Sequence, residues 1–316
     1  MNEIETSSRP FLLASCGCCA LRSPQRRLFG GALLAGAAAG LGGAVPAWAR
    51  EGVDVGPPSS LSKLISAEQV EQAAVQQYRQ IQQGAAQKDA LAPPDHPQLI
   101  RLRAIAQRLI PFTYEWNERA RNWKWEVNLI GSKQVNAFCM PGGKIAFYDG
   151  ILQQLQLTDD EVAMVMGHEM THALREHARE QMGKSMATRG AIELGAALFG
   201  LGDIGRGVAG IGGQLLTLRF GRADESEADL VGLELAARAG YDPHAGVTLW
   251  QKMAEASKSA PPEFISTHPS GPTRIRDIEA NIPKVEGLYQ RAPKPPQRFD
   301  PPKMKKPTPP SRETSR

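Results

Sequence analysis

Two histidines four residues apart enclose an acidic residue in the string His168-Glu169-Met170-Thr171-His172. On an α-helix, residues at i and i+4 lie on one face, so both imidazoles can reach a single metal ion. A carboxylate that follows the first histidine is placed to take a proton from water as the water attacks a carbonyl. The spacing therefore predicts a hydrolytic zinc site, with His168 and His172 as ligands and Glu169 as general base.

This chemistry requires a helix, and the sequence just before the motif carries the signals for one. Thr158-Asp159-Asp160-Glu161 is a capping box, and its acidic residues suit the first turn of a helix. Apolar residues then lead into the motif, and we expect the helix to run on to about Met182. The alternative is a chance HExxH string on an ordinary helix, which these flanking signals disfavour.

A third ligand is predicted from an acidic segment further along the chain. Glu225 and Asp229 share a helical face, so Glu225 can complete a His2Glu site and leave the fourth position for water. Asp229 can then accept the remaining N–H of a ligand histidine. Glu227 is the competing acid, and we expect it to be solvated. His177 follows His172 by five residues, about 140° around a continuous helix, so we expect it on the surface or supporting the ligands.

The remaining patterns predict how these helices are positioned. The residue patterns of 123–130, 135–140 and 144–148 indicate strands, the first through its alternating side chains. A Gly-Gly turn joins the last two strands into a hairpin directly before the motif helix. Helices are predicted over 66–83, 98–109, 224–239, 243–257 and 273–281. Residues 183–213 are rich in glycine and alanine, which is typical of a helical hairpin or a mobile loop. The predicted fold class is α+β, mostly helical, with the HExxH helix packed against a small β-sheet as in gluzincin-like metallopeptidases.

Both ends of the chain differ in composition from the middle. Residues 1–49 contain Arg26-Arg27, an apolar run and a small-x-small cleavage signature ending at Ala49, and are predicted to be a signal peptide of twin-arginine or ordinary secretory type. Residues 50–97 are a helical lead-in, 98–290 the metallopeptidase domain, and 291–316 a disordered Pro/Lys-rich tail. The predicted location is the periplasm.

Charge and cysteine usage limit the classes of partner. The net charge of +4 comes from the two ends of the chain, which leaves the central part slightly acidic, so we expect no nucleic-acid partner. The basic tail allows peripheral contact with a membrane or an outer-membrane assembly. Cys139 is the only cysteine after the predicted cleavage site, so no disulfide within the mature chain is expected. The sequence predicts no oligomeric state.

Four ordered motifs resemble those of the zinc endopeptidases that include HtpX, the CAAX prenyl protease and the BepA and LoiP proteases. The first is HExxH, and the second is the ExxAD string from Glu225 to Asp229. The third is Asn136-Ala137-Phe138 followed by a Gly-Gly turn, and the fourth is His268-Pro269 with Arg274 beyond it. The resemblance covers residues 99–282 and implies a stand-alone periplasmic protease of this family with one zinc ion per chain.

The resemblance also implies roles for residues that spacing alone leaves unassigned. Asn136 and His268 become candidates to stabilise the oxyanion, and in BepA-like proteases the matching histidine can instead cap the zinc and hold the protease latent. Arg274 is expected to brace the loop. The strand near Asn136 is expected to pair with substrate, which favours unfolded or misfolded envelope polypeptides.

Two other classes of function remain open at this point. One is a chaperone-like binding module whose zinc site is mostly latent. The other is a zinc amidase that acts on non-peptide bonds. All the predicted catalytic residues are compatible with each of them.

Overall fold

The computed structural model describes residues 50–198, 215, 218–258, 263–268 and 272–302. The predicted signal peptide and residues 303–316 lie outside this part of the chain. The α-helices are α1 (Ala67–Ala86), α2 (Pro97–Leu109), α3 (Asp149–Leu155), α4 (Asp159–Leu174), α5 (His177–Leu198), α6 (Arg222–Arg238), α7 (Ala245–Ala256), α8 (Glu263–Thr267) and α9 (Pro272–Arg291). The strands are β1 (Glu126–Ile130), β2 (Ala137–Met140) and β3 (Lys144–Tyr148). The predicted α+β class, mostly helical with a small sheet, is confirmed.

The sheet has the strand order β1-β3-β2. β1 runs parallel to β3, whereas β2 and β3 form the predicted antiparallel hairpin. Gly142 and Gly143 turn this hairpin with φ of +83° and +74°, a conformation that favours glycine. β1 begins at Glu126 and β2 at Ala137, three and two residues later than the sequence pattern predicted. Within the described residues β2 pairs with a neighbour on one side only, so it forms an edge of the sheet.

Helix α4 begins as predicted and ends earlier than predicted. Thr158 and Glu161 form the capping box that starts it. The helix stops at Leu174, because Glu176 adopts a left-handed conformation with φ of +59°, and the chain restarts as α5 at His177. The prediction of one helix to Met182 was therefore wrong. Helix α3, between the hairpin and α4, was not predicted.

Two glycines allow α4 and α6 to lie unusually close together. A Cβ added at Gly167 would be 2.8 Å from the carbonyl oxygen of Gly232. A Cβ added at Gly232 would be 2.7 Å from the backbone nitrogen of His168. Contacts of this kind are shorter than any side chain tolerates, so the two helices meet backbone to backbone at the start of the motif.

The lead-in is part of the packed structure. Tyr78 of α1 is fully buried, and its hydroxyl donates a hydrogen bond of 2.5 Å to the carbonyl oxygen of Ile145 in β3. Further upstream, the buried carboxylate of Glu234 on α6 accepts hydrogen bonds from Arg50 at 2.5 Å and from the backbone N–H of Val53 at 2.8 Å. The residues before α1 are thus fixed to the helix that carries Glu225.

The beginning of the predicted tail also lies against the domain. The backbone N–H of Phe299 donates to Asp159 at 2.8 Å, and Arg298 forms an ion pair with Asp160 at 2.8 Å. These carboxylates belong to the first turn of α4, where negative charge is favourable. The final helix also extends to Arg291, ten residues beyond its predicted end at 281. Among the described residues, none of the helices combines the length and apolar character that crossing a membrane requires.

Candidate metal centre

Four buried side chains, from α4, from α6 and from the residue after α8, converge on one point. His168 and His172 project from α4, Glu225 from the start of α6, and His268 follows the last residue of α8. One nitrogen or oxygen atom of each lies within 4.8 Å of the others, a spacing that suits a shared metal ion. Three of the four were predicted as ligands. The fourth, His268, was predicted to be catalytic or to cap the metal.

Three of the separations among these atoms are close to the edge length of a tetrahedron around zinc, and all of them lie within 4.8 Å. His168 Nε2 lies 3.1 Å from His172 Nε2 and 3.3 Å from His268 Nδ1, and His268 Nδ1 lies 3.0 Å from Glu225 Oε1. Ligands at the usual zinc distance of about 2.0 Å would be about 3.3 Å from one another. Imidazole and carboxylate donors are also the set that such sites use. The residues present therefore fit a divalent metal ion.

His168 is held from behind by a carboxylate and an arginine. Its Nδ1 lies 3.0 Å from Asp229 Oδ1, which leaves Nε2 directed at the cluster. Arg274 donates to both oxygens of Asp229 at 2.6 and 2.7 Å and lies 2.7 Å from Glu225 Oε2. The guanidinium group also sits 3.7 Å above the ring of Trp250. The structure thus brings Asp229 and Arg274 together behind the cluster.

His172 is held by a different set of neighbours. Its Nδ1 lies 2.9 Å from Nδ1 of His177, and Phe220 stacks on its ring with 3.9 Å between the ring centroids. Burial lowers the pKa of His172 well below its usual value, and burial likewise lowers the pKa of His177 to about 4. Both imidazoles are therefore neutral at neutral pH, the form in which histidine binds metal.

Glu169 lies beside the cluster. Among the described residues, its Oε1 atom has no hydrogen bond, and it is 3.5 Å from Nε2 of His268. Burial raises the pKa of Glu169, although the nearby His268 and His168 oppose the rise. A buried carboxylate with a raised pKa is suited to accepting and returning a proton.

A small cavity of about 50 Å³ connects these residues with the sheet edge. Asn136, Phe138 and Met140 line it from the β2 side, and Glu169 and His172 line it from α4. The Oδ1 atom of Asn136 accepts a hydrogen bond of 2.9 Å from the N–H of Ala137. The edge strand and the metal-binding side chains therefore face the same cavity.

Glu227 lies away from the metal cluster but is not simply solvated. It forms an ion pair with Arg175, and its Oε2 lies 3.6 Å from Nε2 of His177. The expectation of a solvated carboxylate was wrong because the break after α4 turns Arg175 and His177 back toward α6. The possibility that His177 lies on the surface was also wrong, since only 1% of this residue is exposed.

Three features of the site were missed in the sequence. The first is the close contact between α4 and α6 at Gly167 and Gly232. Glycine is unfavourable inside a helix, so its presence at these two positions was the available sequence signal for a close helix contact. The stacking of Phe220 on His172 had no sequence signal, because it precedes α6 in an irregular segment. The break at Glu176 had none either, since glutamate rarely adopts positive φ.

Comparison with known proteins assigns these motifs to a family. The chain is 34% identical over 201 residues to the mitochondrial metalloendopeptidase OMA1 of Schizosaccharomyces pombe, covering 63% of this chain and 57% of that protein. It is 37% identical over 159 residues to OMA1 of Arabidopsis thaliana, covering 50% and 32%. It is 30% identical over 159 residues to the beta-barrel assembly-enhancing protease of Escherichia coli, covering 47% and 32%.

The matched regions thus span between about a third and three fifths of these relatives' lengths. The model of peptidase family M48 matches residues 100–282, which includes every side chain of the cluster and its supports. This is more than half of the chain, and it agrees with the range over which the sequence motifs suggested the resemblance. The chain belongs to peptidase family M48.

Proposed function

We propose that this protein is a zinc-dependent endopeptidase that cleaves unfolded or misfolded polypeptides in the cell envelope. His168, His172 and Glu225 are the proposed ligands of one zinc ion. The observation that carries the proposal is the convergence of four buried donor atoms beside a strand edge that has no partner strand among the described residues. Membership of family M48 and the names of the relatives support the same reaction.

Zinc, when bound, makes water more acidic and polarises the carbonyl group that is attacked. Glu169 is the proposed general base, because its buried Oε1 has no hydrogen bond among the described residues and its side chain lines the cavity. It takes a proton from the attacking water and returns it to the leaving amine. Asn136 is the proposed donor to the oxyanion, since the bond from Ala137 N–H to its Oδ1 orients the amide so that its NH2 group donates.

His268 is proposed to close the site in the conformation described. Its Nδ1 lies 3.3 Å from His168 Nε2 and 3.0 Å from Glu225 Oε1, so it would be a fourth ligand where a catalytic zinc site keeps a position for water or substrate. Phe264 stacks on its ring with 4.5 Å between centroids, which stabilises this placement. This geometry favours a resting, capped state over a direct role of His268 at the oxyanion.

Unfolded chain is the proposed substrate because of the position of β2. A peptide that adds to the edge of β2, which has no partner strand among the described residues, would form main-chain hydrogen bonds regardless of its sequence. Phe138, Met140 and Leu218 line the cavity and offer apolar contacts to the side chains of such a peptide. Recognition of this kind selects extended chain and excludes folded proteins.

Residues 1–49 support an exported protein, and we propose the periplasm as its location with cleavage near Ala49. The Escherichia coli relative is named for β-barrel assembly, which agrees with substrates in the envelope. N-terminal sequencing of protein from an envelope fraction is expected to begin near Arg50. A full-length cytoplasmic chain would contradict this part of the proposal.

The activity is tested by digestion of an unfolded protein such as casein. We expect cleavage by the mature chain, loss of cleavage with a zinc chelator, and recovery when zinc is restored. The chelated sample also shows how much casein is degraded in the absence of zinc-dependent cleavage. Cleavage that is insensitive to the chelator would contradict zinc dependence. Absence of cleavage by both the zinc-loaded unsubstituted chain and the zinc-loaded His268→Ala variant would contradict the peptidase assignment.

A further inference from the structure

The two ring nitrogens of His172 face different surroundings. Nε2 lies 3.1 Å from His168 Nε2 and 3.6 Å from Glu225 Oε1, so it points into the donor cluster. Nδ1 points the opposite way and lies 2.9 Å from Nδ1 of His177. The orientation of the His172 ring is therefore coupled to a residue outside the cluster.

His177 reaches this position because α4 ends early. The backbone N–H of Arg175 closes the last turn of α4 on the carbonyl oxygen of Thr171 at 2.8 Å. Glu176 then reverses the chain with φ of +59°, and His177 opens α5 with its ring directed back at α4. Only 1% of His177 is exposed, so water does not replace this contact.

The contact between two imidazoles fixes the proton on each of them. A metal on Nε2 of His172 uses the lone pair there, so the ring proton is on Nδ1 and is donated to Nδ1 of His177. The proton of His177 must then lie on Nε2. That atom lies 3.6 Å from Glu227 Oε2, and Glu227 is in turn paired with Arg175.

The same design occurs at the other histidine of the motif. His168 donates from Nδ1 to Asp229, which Arg274 neutralises. His172 reaches a carboxylate–arginine pair too, but His177 stands between the ligand and the carboxylate. Each ring thus faces a buried acceptor at Nδ1. Asp229 is bound by Arg274, whereas His177 has the carboxylate of Glu227 nearby at 3.6 Å and, among the described residues, no hydrogen bond at Nε2.

We propose that His177 is a positioning residue that holds His172 with Nε2 toward the metal. The inference rests on the proposed function in taking His172 as a ligand. The metal ligand donates its Nδ1 proton to the first residue of α5, and that residue lies close to Glu227 of α6. The acceptor atom Nδ1 of His177 is the feature that orients His172, and the size of the His177 ring matters less for this role.

Two amide substitutions at position 177 distinguish the effect of the acceptor atom from the effect of the rest of the side chain. In His177→Asn, the amide oxygen takes the place of Nδ1 and still faces His172. In His177→Gln, the amide lies further out, near the place of Nε2, and faces Glu227. His177→Leu removes both polar atoms, and His244→Leu is a matched control because His244 is exposed and pairs with Asp242 away from the cluster.

The measurement is the dissociation constant for zinc, obtained by competition with a chromogenic chelator on the mature chain. Thermal unfolding of each metal-free variant is recorded in parallel, which separates metal binding from folding. We expect His177→Gln and His177→Leu to weaken zinc binding by about 10- to 100-fold, the usual effect of losing such a support. We expect His177→Asn to stay within a few-fold of the unsubstituted chain, and His244→Leu to leave the constant unchanged.

Equal zinc affinities for His177→Asn and His177→Gln would overturn the inference, whether both match the unsubstituted chain or both fall below it. The amide pair decides the question even if His177→Leu fails to fold. A mature, unsubstituted chain that binds no zinc would instead contradict the proposed function. The two failures are therefore distinguished within one titration.

Discussion

Gly232 of α6 lies directly against the backbone of His168, so that a Cβ at position 232 would be 2.7 Å from the His168 nitrogen. This contact sets the distance between the helix that carries the two histidines and the helix that carries Glu225. His168 Nε2 and Glu225 Oε2 can lie 3.6 Å apart only because no side chain separates α4 from α6 at Gly232.

Gly232→Ala is therefore expected to push α6 away from α4. Overpacking of this kind costs about 1–3 kcal/mol, and we expect zinc affinity to fall together with the free energy of unfolding. Gly84→Ala is the control, because a Cβ at this helical position of α1 would meet nothing within 4 Å. Denaturant unfolding and zinc titration measure both effects. A Gly232→Ala protein with unchanged zinc affinity would show that the helix contact does not set the site.

Glu225→Ala and Glu227→Ala are expected to differ in metal content. Glu225 Oε1 is 3.0 Å from His268 Nδ1 inside the donor cluster, whereas Glu227 forms an ion pair with Arg175. We expect purified Glu225→Ala to contain almost no zinc. Glu227→Ala should retain one zinc ion per chain, with a smaller loss of affinity through His177. Metal analysis of the two proteins decides, and the reverse pattern would move the ligand to Glu227.

His268→Ala is expected to raise peptidase activity. The substitution vacates the fourth corner of the donor set, which then accepts water or substrate without the resting cap. Initial rates on an unfolded substrate, with zinc content measured in the same samples, provide the comparison. If His268 instead stabilised the oxyanion, turnover would fall on the order of a hundredfold, as the loss of one such donor usually causes.

Glu234→Ala is expected to detach the residues before α1. The buried carboxylate accepts from Arg50, Val53 and Arg238, at 2.5, 2.8 and 2.7 Å. Hydrogen bonds to a charged group each contribute about 1.5–3 kcal/mol, and the two arginines regain water on release, so we expect a net loss of about 2–4 kcal/mol. Urea unfolding measures the loss, and limited proteolysis should cut before Ala67. Equal stability of the variant would mean that this segment is not fixed through Glu234.

The sequence predicted the parts of the site that depend on local periodicity. His168 and His172 share a helical face whatever surrounds them, and Glu225 and Asp229 do so independently, so these pairs follow from spacing alone. The capping box at Thr158 was equally local and is confirmed. The placement of His268 depended on resemblance, because nothing in the five residues of α8 indicates where the chain after it will lie.

The rest depended on tertiary context. A left-handed glutamate at position 176 has no sequence signal, yet it ends α4 and turns His177 inward. Similarly, the beginning of the Pro/Lys-rich tail contacts the first turn of α4 through Arg298 and Phe299, although its composition predicts disorder. In both cases burial and hydrogen bonding to a distant element override the local preference.

The most direct test of the proposed mechanism is Glu169→Gln in the mature chain. The amide keeps the shape of the side chain but cannot accept the proton from water, and it leaves all the proposed ligands in place. We expect zinc content near one ion per chain, as in the unsubstituted protein, with cleavage of unfolded casein abolished. Turnover at the unsubstituted rate by a zinc-loaded Glu169→Gln protein would contradict the mechanism.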